Sequence, residues 1–287
     1  MRPDYITSEF LKNFISSAFA EDVGDGDHST LAAIPQTATS GAVLKIKDDG
    51  ILAGVDMAVE IFRHYDPTLE LEIFVADGTP VKAGSLGFTV RGSSRSILTC
   101  ERLVLNCMQR MSGIATKTNH LVKLLEGTST RLLDTRKTTP NFRLLEKWGV
   151  KIGGGHNHRI GLYDMIMLKD NHIDMAGGIT QAINQTKDYL RASNKTLKIE
   201  VETRTLKEVE EVLTVGGVEV IMLDNMDIAT MKAAVKLIGN MAKTEASGNI
   251  TETTLRGVAD CGVDFISVGA LTHSYKSLDL SLKAEKI

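Results

Sequence analysis

The residues of this sequence with the types and spacing to do chemistry crowd into one stretch, Leu133 to Ile173, LDTRKTTPNFRLLEKWGVKIGGGHNHRIGLYDMIMLKDNHI. An apolar run ends in Asp134-Thr135-Arg136-Lys137, a triple glycine leads into His156-Asn157-His158-Arg159, and a second apolar run, Met165 to Leu168, ends in Lys169-Asp170-Asn171-His172. Arginine forks match carboxylate and phosphate oxygens two at a time, and lysine adds a point charge. Gly153, Gly154 and Gly155 let the backbone approach a ligand closely. These cations follow buried-type apolar runs rather than flanking a polar helix. The stretch therefore reads as a site for a highly anionic ligand, not as a solvated charged surface.

Acids stand at two later strand ends, Glu202 and Asp224, with Glu200 on the same strand face as Glu202 but deeper. Placed opposite a cationic cluster, such acids bind sugar hydroxyls, hold a magnesium ion or stabilise a developing positive charge; a structural salt bridge is the plainer alternative. So sparse a ligand set suits Mg2+ bound largely through substrate oxygens. Ser247-Gly248-Asn249 precedes a helix capped near Thr251, and Gly269 follows the last strand. Backbone amides in the last two strand loops of a barrel commonly hold a phosphate, although a plain strand-to-helix turn has the same look. His156-x-His158 forms half of a zinc site, but no third ligand has a fitting spacing and Arg159 would repel a metal. Lys169 also fits a Schiff-base nucleophile whose pKa is lowered by neighbouring cations. The acidic loop Glu21 to His28 lacks the closing glutamate of a calcium site and reads as a tight turn.

The elements that must position these groups change character near Thr130. Before it, Ser8 to Phe19 reads as a helix capped by Ser8. The runs GAVLKIK, LELEIFV and LGFTV alternate as strands around a helix from Val55 to His64, forming a small antiparallel sheet. DGTPVKAGS resembles a turn of lipoyl or biotinyl carrier domains, without the hairpin lysine those need. A long helix from Ser94 to Gly127 carries Arg102 and is expected to break at Ser112-Gly113. After Thr130, the strands RLLDT, MIMLK, LKIEVE, VEVIMLD, MAKTEAS and VDFISVG alternate with helices such as Leu206 to Val215, Ile228 to Leu237 and Thr253 to Cys261. A short helix begun by Pro140 is expected in the central stretch. This alternation implies parallel strands with crossover helices, and the polar residues at the carboxyl ends favour a (β/α) barrel over a dinucleotide-binding sheet.

Bulk properties narrow the function classes. A chain of 287 residues with 43% hydrophobic and 24% charged residues is ordinary for a globular protein. A net charge of -3 argues against nucleic acid. Cys100, Cys107 and Cys261 show no metal or disulfide spacing and read as core residues. No apolar run has the length of a membrane span, and the protein is expected in the cytoplasm, with no membrane partner.

Taken together, DTRKTTP, GGGHNHRIGLYDMIMLKDNH, IEVE, LDN, EASGNIT and VGALTHS resemble the quinolinate phosphoribosyltransferase family of NAD synthesis, from EDVGDGDHST through LDLSLK. The resemblance implies an α/β protein. An amino-terminal α+β open-sandwich domain (1–112) precedes an irregular barrel (113–270), and a closing segment (271–287) packs back on the first domain. It also implies a homodimer with shared sites, or a higher oligomer. The family reaction joins quinolinate to phosphoribosyl pyrophosphate with magnesium and releases pyrophosphate and carbon dioxide. Carried over by motif, Arg136, Lys137, His158, Arg159 and Lys169 receive the carboxylates and pyrophosphate, and Arg102, in CERLVLN, comes from the other subunit. Glu202 and Asp224 face the ribose and its metal, while Ser247, Gly248, Asn249 and Gly269 hold the 5-phosphate. Lys137, Lys169, Glu202 and Asp224 carry the catalysis. Periodicity alone leaves Arg102 an ordinary helix residue. Asn141 and Asn249 stand where many relatives have glycine, so altered loop geometry is expected there. A molybdenum-locus relative of the same fold is the alternative enzyme, and a non-catalytic sensor of an anionic metabolite is the alternative outside enzymes.

Overall fold

A computed structural model describes residues 2–285. Along the chain come α1 (Ser8–Asp22), α2 (His28–Ala33), β1 (Thr39–Ile46), β2 (Gly50–Ile51), α3 (Val55–Tyr65), β3 (Glu70–Ile73), β4 (Pro80–Val81), β5 (Leu86–Ser93) and α4 (Ser94–Leu124). Then follow β6 (Arg131–Leu133), α5 (Arg143–Ile152), β7 (Ile166–Leu168), α6 (Asp170–Ala176), α7 (Ile179–Ala192), β8 (Ile199–Thr203) and α8 (Leu206–Val215). The chain closes with β9 (Val220–Asp224), α9 (Ile228–Ile238), β10 (Lys243–Ser247), α10 (Glu252–Ala259), β11 (Phe265–Ser267), α11 (Ala270–His273) and β12 (Leu280–Glu285).

One compact unit runs to Asn119 and takes in Thr138–Gly154 and the chain from Leu271 onward. Its main sheet has the order β12-β1-β5-β3 with every pairing antiparallel. Phe62, Phe88, Met108 and Met111 fill its core, and α5 adds Leu145 and Trp148. That apolar face explains why residues 138–154 belong to this unit rather than to one continuous 113–270 segment.

Three local expectations are corrected by the structure. The cap of α1 is Thr7, whose hydroxyl accepts from the Phe10 amide at 3.1 Å, not Ser8. Helix α4 runs unbroken through Ser112-Gly113. Ser112 Oγ ties that turn to Ala53, accepting from its amide and donating to its carbonyl. A Cβ at Gly113 would lie 2.3 Å from the Lys276 carbonyl oxygen, so glycine serves close packing there and does not end the helix. Helix α5 starts at Arg143 instead of Pro140, because Asn141 takes a left-handed conformation (φ 61°) that no α-helix contains.

The second unit comprises His120–Lys137 and Gly155–Ala270. Six strands lie in the order β6-β11-β10-β9-β8-β7, and all are parallel. Val201, Ile221, Leu223, Ala246 and Ile266 are buried on one strand face, with Ile183, Val209, Val212, Met231 and Leu255 buried on the helices. Strands covered on both faces read as nearly continuous apolar runs, as these do. At the other edge of β6, the His156 amide donates to the Leu132 carbonyl (2.8 Å) and the Asp134 amide donates to the His156 carbonyl (3.1 Å). The glycine-rich segment thereby adds a rung to the sheet and carries His158 and Arg159 into it.

Candidate active site

Strand alternation decides which side chains meet. Side chains two apart share a face, so β7 presents Met167 and, one residue past its end, Lys169, while β10 presents Glu245 and Ser247. These line a cavity of about 310 Å³ with Met222 of β9, Ser267 of β11, Thr135, Arg136 and Lys137 after β6, and His158 and Arg159. The structure thus gathers Arg136, Lys137, His158, Arg159, Lys169 and Ser247 around one space. Burial, and then the nearby Arg136 charge, lower the Arg159 pKa. A bound anion would relieve that repulsion.

The segment beneath is held by buried acids. The Asp134 carboxylate is fully buried and accepts from the His158 amide (2.9 Å) and the Asn157 side-chain amide (2.7 Å). The His158 ring sits with Nε2 3.0 Å from Glu200 Oε2 and 3.4 Å from Glu245 Oε2. Burial disfavours charge on this ring, but the two acids outweigh it and raise the pKa. Burial first, then the Glu245 charge, push the Glu200 carboxyl up to about 7. On the other side of the ring, Nδ1 accepts from the Arg159 amide at 2.7 Å. A proton on Nδ1 would point at that amide hydrogen, so this contact opposes the doubly protonated ring that the two acids favour and keeps the ring proton on Nε2. The ligand atoms of His158, Glu200 and Glu245 lie within 4.8 Å of one another, yet a metal on Nε2 would force the ring proton onto Nδ1, against the Arg159 amide hydrogen, so the trio does not fit one.

Glu202 and Asp224 stand at the carboxyl ends of β8 and β9. Burial raises the Glu202 pKa, the Asp224 charge raises it further, and Lys169 opposes both. Two facing carboxylates beside a lysine are a donor set that a hard divalent cation with substrate oxygens fits. Asp224 Oδ2 accepts from Asn225 Nδ2 (2.7 Å), and Asn225 Oδ1 accepts from Asn249 Nδ2 (3.0 Å). Gly248 takes φ 92°, and a Cβ there would stand 2.3 Å from Asn225 Oδ1, so glycine alone fits. Gly269 lies between β11 and α11. Arg102 is exposed on α4 of the first unit and does not line the cavity.

The chain matches two family profiles, "Quinolinate phosphoribosyl transferase, N-terminal domain" over residues 27–112 and "C-terminal domain" over residues 114–283. The chain belongs to the quinolinate phosphoribosyltransferase family. It is 47% identical over 290 residues to the rice (Oryza sativa subsp. japonica) "Nicotinate-nucleotide pyrophosphorylase [carboxylating], chloroplastic", covering 96% of this chain and 78% of that protein. It is 44% identical over 267 residues to the "Probable nicotinate-nucleotide pyrophosphorylase [carboxylating]" of Synechocystis, covering 92% and 89%. NadC from Streptococcus pyogenes superimposes with a TM-score of 0.91 at 39% identity, covering 99% of this chain and 100% of that one.

Asn141 and Asn249, where the resemblance led us to expect altered loop geometry in this quinolinate phosphoribosyltransferase, are both left-handed (φ 61° and 49°). Asparagine is among the side chains that enter this region most readily, so exchange with glycine needs no change of backbone there. Sequence reasoning missed Glu245, Met222, Ser267 and Asp134. For Glu245 the signal was parity: it precedes Ser247 by two residues, as Glu200 precedes Glu202, so two strands each send an acid inward below the rim.

Proposed function

We propose that this chain transfers the phosphoribosyl group of phosphoribosyl pyrophosphate to the nitrogen of quinolinate and releases pyrophosphate and carbon dioxide, giving nicotinate mononucleotide for NAD biosynthesis. The observation that carries this reading is the convergence of Arg136, Lys137, Arg159 and Lys169 with His158 on one cavity, more positive charge than a single carboxylate would use.

The arginines receive the two quinolinate carboxylates bidentately, and Lys137 and Lys169 offset the charge on the pyrophosphate. Glu202 and Asp224 face the ribose and stabilise the positive charge that grows on it as pyrophosphate departs. Ser247, Gly248, Asn249 and Gly269 hold the 5-phosphate through a hydroxyl and backbone amides. Attack by the ring nitrogen creates a pyridinium, which takes up the electrons left by the departing 2-carboxyl, so this step needs no organic cofactor. Glu202 and Asp224 would hold Mg2+ together with substrate oxygens, and the ion would supply charge neutralisation to the leaving group.

A homodimer completes the reading, with Arg102 supplied by the other subunit to each site. Free, buried Cys100, Cys107 and Cys261 suit a reducing compartment, and the cytoplasm is our assignment. Among the described residues no helix is long and apolar enough to cross a membrane.

The decisive assay supplies quinolinate and phosphoribosyl pyrophosphate and measures both products. Equal release of carbon dioxide and pyrophosphate supports the function; pyrophosphate without carbon dioxide overturns it. Subunit sharing is read by mixing inactive Arg102→Ala and Lys169→Ala proteins under exchange. On the order of a quarter of wild-type sites should return, and no recovery with exchange verified by mass spectrometry removes Arg102 from the site.

A further inference from the structure

Three buried acids lie under the cationic cavity, and the mechanism above uses none of them. Asp134 is taken up by the backbone of the glycine-rich segment. Glu200 and Glu245 are different: both are nearly fully buried, and Oε1 of each makes no hydrogen bond among the described residues. Leaving buried carboxylate oxygens in that state is costly, so these acids need a function that offsets it. What both face is Nε2 of His158, at 3.0 and 3.4 Å.

We infer that Glu200 and Glu245 are positioning residues for the carboxylate-binding half of the site: they take up the His158 Nε2–H, and Nδ1 of that ring then seats the backbone of Arg159. The inference rests on the function proposed above and deepens it. The ring has two nitrogens and both are spoken for, Nε2 by the acids and Nδ1 by the Arg159 amide at 2.7 Å. His158 therefore offers no ring N–H to a substrate carboxylate, and the role it carries by motif changes from ligand to strut. Arg159 needs such a strut. Its guanidinium is partly buried near Arg136, a like charge that would displace it from the cavity. Further anchors are Arg159 Nη1 donating to the Met165 carbonyl (3.2 Å) and the Asp164 carboxylate accepting from the Ile160 (2.7 Å) and Gly161 (2.9 Å) amides. The ring fixes the start of the segment, and these contacts fix the chain from Arg159 to Met165. His158, Arg159 and Glu245 also line a second cavity of about 230 Å³ beside Arg131, Lys198, Val220 and Phe265. The His158 side chain is only 6% exposed, and both of its ring nitrogens are oriented by the contacts to the acids and to the Arg159 amide.

The test compares Glu245→Gln, which keeps an oxygen for Nε2–H, with Glu245→Leu, which does not. Glu245→Leu should raise KM for quinolinate roughly tenfold or more, with KM for phosphoribosyl pyrophosphate within about twofold, and Glu245→Gln should stay near wild type. In nitrogen-15 NMR of the wild-type protein, the His158 ring, assigned by its loss in His158→Gln, should carry its proton on Nε2 with Nδ1 bare. A proton on Nδ1 overturns the inference, as does a Glu245→Gln protein as impaired as Glu245→Leu, which would make charge alone the role. Equal changes in both KM values overturn it too, since they indicate a general structural defect. If Glu245→Leu does not fold, the NMR spectrum and the Glu245→Gln kinetics decide. A wild-type protein inactive on quinolinate would sink the proposed function, while the ring tautomer would still be read.

Discussion

The strand ends at β6 and β7, the two outer strands of the parallel sheet, deliver cations, whereas those at β8 and β9, neighbours inside the same sheet, deliver acids. Arg136, Lys137 and Lys169 extend past apolar strands into a shared cavity, whereas Glu202 and Asp224 end theirs as a like-charged pair with Lys169 opposing. The difference teaches that this fold fixes where side chains converge and leaves their charge free. One half is suited to hold an anion in its ground state, and the other to meet a cation that exists mainly during reaction. Interactions made mainly in the transition state appear in kcat, and those made equally throughout appear in KM.

The largest effect expected from this contrast is selectivity for quinolinate over nicotinate. A missing carboxylate leaves a half-buried arginine fork unpaired, at a cost of up to roughly 3–5 kcal/mol, the figure for breaking a fully buried ion pair. Turnover of nicotinate comparable to that of quinolinate would abolish the distinction between the halves. Next, Glu202→Ala or Asp224→Ala should reduce kcat by on the order of 100-fold to 1,000-fold with KM for quinolinate nearly unchanged.

Smaller and of different kind is a pH effect on stability. The fold favours the protonated Glu200 carboxyl, whose pKa is pushed up to about 7 from an ordinary 4.5. That contribution is complete below 4.5 and is lost as the pH climbs through about 7. Thermal melts should show wild-type Tm falling over this window relative to Glu200→Gln, and parallel curves would contradict it. The smallest effect belongs to Asn249→Gly. Its left-handed backbone suits glycine, and only the exposed contact to Asn225 is lost, so stability should shift by less than about 1 kcal/mol. Asn249→Val should cost about 1–2 kcal/mol more, because a β-branched residue resists that backbone.

The strands that build the site were legible in the sequence because a buried parallel strand leaves a dense apolar run, and MIMLK or VEVIMLD admit few other readings. Parity along those runs placed Lys169 and put Glu200 deeper than Glu202, and the structure keeps Glu200 fully buried. Features set by distant chain were not legible. Ser112-Gly113 looks like a helix break until Ala53 and the Lys276 carbonyl are beside it. Residues 138–154 follow a strand of the parallel sheet in sequence but bury Trp148 in the other core. Glu245 looks like one acid in a polar run, and its meaning depends on a histidine 87 positions earlier in the chain.

Calorimetric titration of quinolinate into wild-type, Glu202→Ala and Arg159→Ala proteins tests the division between the two halves most directly. Glu202→Ala should keep wild-type affinity, and Arg159→Ala should lose most of it. Affinity lost in Glu202→Ala and kept in Arg159→Ala would contradict the division.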